Sequence, residues 1–204
     1  MTILEIKRAK KHCFTIVTDE CEFLLDCDTV TEHCLKKGVR LSEEQAEGLK
    51  LHSDCVRALS KGSWLLSQRD YTVKGLKDKL KPDFSEYAVL YAVGSLEEVG
   101  ALDDRRYAEN AARYLAEYKS LSRKSIAREL ILKGVGADIA YQAAQELEYD
   151  QISAAARLIG SKYRNFSEDE KIKRRMVSAL LRRGFSYSQI NEAAERINGG
   201  TNGI

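Results

Sequence analysis

The chain has 204 residues, 44% of them hydrophobic and 31% charged, with a single proline at Pro82. That length and apolar fraction can bury a core, and abundant Lys, Arg and Glu with scarce breakers exclude an all-β or collagen-like protein. With 33 basic against 31 acidic residues the formal charge is only +2, so any electrostatic case for a nucleic-acid partner has to be local.

In chain order, the runs ILEIKR, HCFTIV and CEFLLD between Ile3 and Asp26 are short, rich in β-branched and aromatic residues, and separated by AKK and TDE. They predict a three-stranded antiparallel meander. Alternation in the second run puts Cys13, Thr15 and Val17 on one face and Phe14 and Ile16 on the other, so one face needs covering. A short helix is expected from Thr29 to Lys37 behind an Asp28 cap, with Gly38 at its left-handed end. Ser42-Glu-Glu-Gln45 is a capping box that opens a helix running as far as Arg69.

Further helices are predicted over Thr72 to Leu80, Phe84 to Val99, Asp104 to Tyr118, Arg123 to Leu132 and Ala137 to Leu147. Gln151 to Tyr163, Glu168 to Arg182 and Tyr187 to Ile197 complete the set. Ser167-Glu-Asp-Glu170 and Ser186-Tyr-Ser-Gln189 are two more capping boxes, and Gly100, Gly134 and Gly184 stand where left-handed helix ends are expected.

No run approaches the roughly 20 apolar residues of a membrane span, and MTILEIKRAKKH lacks the apolar core and cleavage site of a signal peptide. A cytoplasmic protein with no membrane association is expected. Cys13, Cys21, Cys27, Cys34 and Cys55 are odd in number, and neither they nor His12, His33 and His52 provide a Cys-x-x-Cys or a close His pair. Disulfides and structural zinc are therefore disfavoured, and the cysteines read as small buried hydrophobes. No metal and no cofactor are expected.

The helices repeat every 50 residues: Leu76 and Leu80, Ile126 and Leu130, Met176 and Leu180 are apolar pairs on the middle helix of three successive triplets. Trp64 and Tyr114, Ala58, Ala108 and Leu158, and Val93, Ala143 and Ala193 keep the same offset. The expected fold is mainly α: a tandem, elongated and curved array of three three-helix repeats behind a small antiparallel β meander and a short helix. The divisions fall at 1–41, 42–100, 101–149 and 150–204, the last ending in a short flexible tail. Such a shape suits binding along another long object, and a near-spherical particle in small-angle scattering would contradict it.

Four motifs stand in order on this array. They are Arg69-Asp-Tyr-Thr-x-x-x-Leu76-x-x-Lys79-Leu80, Gly100-Ala-Leu-Asp-Asp-x-x-Tyr-Ala108, Leu130-x-x-Lys-Gly134 and Arg183-Gly-Phe-Ser-Tyr187. With them the chain resembles the RecX family from about Ser53 to its end. The resemblance implies a regulatory protein of recombination, DNA repair and the SOS response. Such a protein binds RecA filaments on DNA along the helical groove and inhibits strand exchange, ATP hydrolysis and coprotease activity. Such a role needs no catalysis, and the sequence carries no glycine-rich phosphate loop, no Gly-x-Ser-x-Gly elbow and no His-Glu-x-x-His; a monomer is expected. The meander lies outside the likeness, and the third repeat departs from the first two with Arg164, Arg174 and Arg175.

Charge gives the candidate site. Lys162, Arg164, Lys171, Lys173, Arg174, Arg175, Arg182 and Arg183 face only three acidic residues in the same segment. Lys171, Arg174, Arg175 and Arg182 recur at helical steps and form one stripe for phosphates or an acidic protein surface; the plainer reading is a solvated face. Lys119, Arg123, Lys124, Arg128 and Lys133 form a lesser cluster in the second repeat, and the two could join into one band. Partner binding is thus assigned to Lys171, Arg174, Arg175, Arg182, Arg183, Arg123, Lys124 and Arg128, with weak contact to single- or double-stranded DNA.

The motif residues Asp103, Asp104, Tyr107, Tyr71, Gly134, Gly184, Phe185 and Tyr187 are read as structural. Asp103 is an N-cap and Asp104 a first-turn charge, Tyr107 and Tyr114 pack between repeats, and Phe185 staples Ile190. The rival reading is an autonomous DNA-binding protein of helix-turn-helix type with turns at Gly134 and Gly184. It is weakened because the helix from Ala137 opens with Asp138, Tyr141 and Gln142 and no cation.

Overall fold

A computed structural model of the chain describes residues 1–9 and 12–200. The break at Lys10 and Lys11 and the tail expected over 201–204 lie outside the described residues. The chain divides into two units, Met1–Leu102 and Asp103–Ile204.

In the first unit β1 (Ile3–Arg8), β2 (Cys13–Thr18) and β3 (Glu22–Asp26) form an antiparallel sheet in the order β1-β2-β3, with Ile6 opposite Ile16 and Ile16 opposite Phe23. A sheet this small needs its hydrophobic face packed to be stable. Ile3, Ile16, Phe23 and Leu25 are therefore buried with Leu41 and with Ala46 and Leu49 of α2 (Glu43–Gln68). Ile16 is fully buried, so the face that carries Phe14 and Ile16 is covered. Cys13, from the opposite set, is buried too.

The short helix differs from expectation. α1 spans Cys27–Glu32 and is capped by Asp26, not Asp28. The Asp26 carboxylate accepts from Thr29 N (3.0 Å) and the Thr29 hydroxyl, while the Asp26 amide donates to Ser53 Oγ of α2 (2.7 Å). Anchored on both sides, Asp26 takes the cap before Asp28 can. Burial pulls its carboxyl upward, but these hydrogen bonds win and hold it below the usual Asp value. The helix is over by His33, and Gly38 (φ +89°) serves another turn, donating to Ile3 O while Ile3 N donates to Val39 O.

α2 opens with the expected box between Ser42 and Gln45. It packs with α3 (Val73–Leu80), capped by Thr72, and α4 (Glu86–Glu98), capped by Ser85, around Cys55, Ala58, Leu76, Leu80, Val89, Val93 and Leu96. α4 starts two residues later than expected because the Ser85 hydroxyl, not Phe84, meets the first free amides.

The second unit holds α5 (Asp104–Lys119), α6 (Arg123–Leu132), α7 (Ala137–Glu146), α8 (Gln151–Lys162), α9 (Glu170–Arg182) and α10 (Tyr187–Gly200). One core gathers Ala108, Ala112, Leu115, Ile126, Leu130 and Ala140 from α5 to α7, and a second gathers Ala155, Ile159, Met176, Leu180, Ile190 and Ala193 from α8 to α10. All six apolar residues of the repeat pairs, Leu76 through Leu180, are buried. Gly100, Gly134 and Gly184 have positive φ, as helix ends closing in the left-handed region require.

The Ser186–Gln189 box forms, but the one expected at Ser167 does not. Asp169 caps α9 through Lys171 N and Ile172 N, and Ser167 Oγ donates to Asn198 Oδ1. Phe166 is only 6% exposed, and turning it into the core leaves Ser167 in the turn before α9, two residues short of the cap position that Asp169 takes.

Candidate functional site

On α9 the apolar positions Met176, Ala179 and Leu180 face the core, which leaves Lys171, Arg174, Arg175 and Arg182 exposed on the other side. Lys173 pairs with Glu170 at 3.5 Å. Among the described residues no carboxylate lies within 4 Å of the four stripe cations, so their charge is not offset locally.

The helix that bears most of the lesser cluster touches the end of α9 at a defined joint. Ser122 N, at the start of α6, donates to Arg183 O at the end of α9 (3.0 Å). A Cβ on Gly184 would stand 2.5 Å from Ser122 Oγ and closer still to Ser125 Oγ, so glycine is needed for the two helix ends to touch. The joint sets Lys124 and Arg128, both exposed, on the helix whose first turn abuts the last turn of α9.

Two residues assigned to partner binding are occupied within the protein. Arg123 departs most from expectation: its Nη1 donates to Ala144 O (2.7 Å) and Gln145 O (2.8 Å), and its Nη2 to Tyr149 O (3.0 Å). The guanidinium thus closes the C-terminal end of α7, where unpaired carbonyls carry partial negative charge. Arg183 is half-buried, and its Nη1 donates to Ala179 O at 3.2 Å.

Asp103 caps α5 through Arg105 N and Arg106 N, with Asp104 in the first turn. Tyr107 is half-buried against the α5 to α7 core. Tyr71 packs on the first unit's core beneath the Arg69 guanidinium, 4.6 Å from the ring centroid. Phe185 and Ile190 share the α8 to α10 core, whereas Tyr187 is exposed. Tyr114 corrects the expectation of packing: it is 53% exposed and stacks on Tyr118 at 5.1 Å between ring centroids.

The cysteines also divide. Cys13 and Cys55 are buried, and burial raises the Cys55 thiol above its usual range. Cys34 is exposed, contrary to a purely hydrophobic role. Among the described residues no group of three or more His, Cys, Asp or Glu could hold a metal, and no helix is long and apolar enough to cross a membrane.

Asp150 and Arg196 carry an anchor not foreseen in the sequence. Asp150 caps α8 and takes bonds from Ser153 and from Arg196 Nη1 of α10 (3.0 Å), and the Ser153 bonds first, then Arg196, hold its carboxyl well below the usual range. The residues lie 46 apart in sequence, and only folding brings them together.

Family models for the RecX second and third three-helix domains match residues 103–143 and 148–194. The regulatory protein RecX of Trichlorobacter lovleyi is 31% identical over 150 residues, covering 71% of this chain and 96% of the relative. That of Clostridium acetobutylicum is 28% identical, over 97% of this chain and 95% of its own.

The crystal structure of a regulatory protein RecX superposes with a TM-score of 0.68 at 24% identity, covering 97% of this chain and 98% of its own. RecX from Lactobacillus salivarius gives 0.65 at 24% identity over 72% and 99%. These structures share the fold, and the relative from Trichlorobacter lovleyi settles descent: the chain belongs to the RecX family of regulatory proteins.

Proposed function

We propose that this chain regulates RecA by binding the RecA nucleoprotein filament along its groove, as a cytoplasmic monomer, and inhibits its recombinase, ATPase and coprotease activities. Lys171, Arg174, Arg175 and Arg182, continued by Lys124 and Arg128, meet acidic RecA surface or DNA phosphate. Arg123 ties the start of α6 to the end of α7, and Arg183 closes the last turn of α9. The observation that carries this reading is the α9 stripe, whose exposed cations have no local counter-charge in a chain of RecX descent. Charge of this kind steers association with a polyanionic partner and weakens with salt. No catalytic centre is required.

The rival, an autonomous helix-turn-helix DNA reader, has less support. The exposed openings of α7 and α10 offer Asp138, Tyr141 and Gln142, and Tyr187, Ser188 and Asn191, with none of the cations that usually approach bases and phosphates.

The test is the ATPase of RecA assembled on single-stranded DNA, with pull-down over a salt series. The R174E/R182E variant should lose inhibition and capture while keeping its helical circular dichroism. Full inhibition by that variant would remove the stripe from the mechanism. Tight, site-selective binding to bare duplex without RecA would favour the rival.

A further inference from the structure

The third triplet has a concavity where its first helix ends early. α8 stops at Lys162, whereas α5, in the same 50-residue register, runs on to the position of Asp169. The chain from 163 to 169 turns, with Phe166 N bonded to Tyr163 O and Asp169 N to Asn165 O, and Phe166 buries itself in the core beneath. Beside this turn lies a depression of about 360 Å³ lined by Lys162, Tyr163, Arg164, Asn165, Ile172 and Arg175, together with Ser161.

Three cations line it and no carboxylate does. By contrast, the depression in the second triplet is lined by Glu109, Glu117, Glu146 and Glu148 with one cation, Arg113. All three cations are peculiar to the third repeat: Lys162 stands where the others have Ala112 and Gly62, Arg164 where they have Tyr114 and Trp64, and Arg175 where they have Ser125 and Gly75. Arg164 is held in place by its Nε, which donates to Gly160 O at 3.1 Å. The end of α8 supplies the equivalent of about half a negative charge, far short of offsetting three cations. Among the described residues none of the three has an ion-pair partner, and like charges brought this close repel unless an anion joins them.

We propose that this notch binds a phosphoryl group, with Lys162, Arg164 and Arg175 as its cations and Asn165 as a neutral donor. Free nucleotide and the nucleic-acid backbone both present that chemistry. The site shares Arg175 with the filament-binding face, but it operates without RecA and stands if the filament reading fails.

The test is calorimetric titration of the full chain at low salt with sodium pyrophosphate, with ADP and with an oligothymidylate. Pyrophosphate should bind saturably at one site, and K162A/R164A should weaken it by about tenfold or more, the loss expected for charge-assisted hydrogen bonds. R175Q should weaken it independently. K36A/K37A removes the same formal charge from exposed lysines elsewhere and should change nothing. If the oligonucleotide shows the same loss, the backbone is the source; if only pyrophosphate and ADP respond, a free nucleotide is. Absence of saturable pyrophosphate binding, or wild-type affinity in both variants with unchanged circular dichroism, would overturn the site. Because R174E/R182E leaves all three notch cations in place, the RecA assay and this titration fail separately.

Discussion

The joint between α9 and α6 makes a quantitative claim that Gly184→Ala tests. Gly184 has φ +84°, and an added Cβ would lie 2.5 Å from Ser122 Oγ, nearer to Ser125 Oγ, and 3.1 Å from Ser125 Cβ. Holding alanine in the left-handed region costs about 1–2 kcal/mol. Overpacking against a helix start adds about 1–3 kcal/mol, and parting the two helix ends strains the bond from Ser122 N to Arg183 O. A loss of about 2–5 kcal/mol is expected, a fall in Tm of roughly 4–20 °C for a chain of this size.

Gly100→Ala separates the two terms, since Gly100 has φ +66° with nothing within 4 Å of the added Cβ and should cost only the backbone part. Urea denaturation of both variants supplies the difference, and Gly184→Ala/Ser125→Ala should recover part of the clash. If Gly184→Ala costs no more than Gly100→Ala, the two helix ends do not touch as described. On the proposed function the same variant should also weaken RecA inhibition, because the joint ties the start of α6 to the end of α9, the two helices that carry the proposed contact residues.

Arg123→Ala should cost about 1–3 kcal/mol in urea denaturation by leaving Ala144, Gln145 and Tyr149 carbonyls without their donor; Arg123→Lys should restore little, because an ammonium cannot span the three acceptors. Asp103→Ala removes the α5 cap and should lower stability by about 0.5–2 kcal/mol, read as a shift in urea midpoint with unchanged slope. Asp150 titrates below its ordinary value of 3.8 in the folded chain, so its contribution is complete above that value and is lost as pH falls through the lower, folded one. Thermal melts should therefore show the wild type losing ground to Asp150→Asn between pH 5 and pH 2, about the span over which a depressed carboxyl titrates; a constant gap in Tm would contradict the anchor.

The distinction between what the sequence disclosed and what it withheld follows the range of the interactions. Apolar pairs such as Ile126 and Leu130 and caps such as Ser42 and Ser186 are settled within a turn of helix, so spacing alone locates them. Where two candidate caps lie close together the choice depends on distant anchors: Asp26 wins over Asp28 because Ser53 holds it, and Asp169 replaces Ser167 because Phe166 must be buried. Periodicity likewise puts Tyr107 and Tyr114 on one side of α5 but cannot say that the buried side is the alanine-rich one of Ala108, Ala112 and Ala116.

Charge obeys the same division, and this bears on function. Arg123 and Arg174 look alike in sequence, yet the carbonyls that occupy Arg123 arrive from 21 to 26 residues away, whereas nothing among the described residues neutralises Arg174. A basic run therefore becomes evidence for a partner only after the intramolecular acceptors have been subtracted. What survives that subtraction is the α9 stripe with Lys124 and Arg128, and the notch beside it, where three cations share one hollow without a carboxylate. The hollow and its three cations lie in the third triplet, where the first helix ends short of the 50-residue register, and divergence of one module from an otherwise repeated pattern is how an array of similar units acquires a site that only one of them carries.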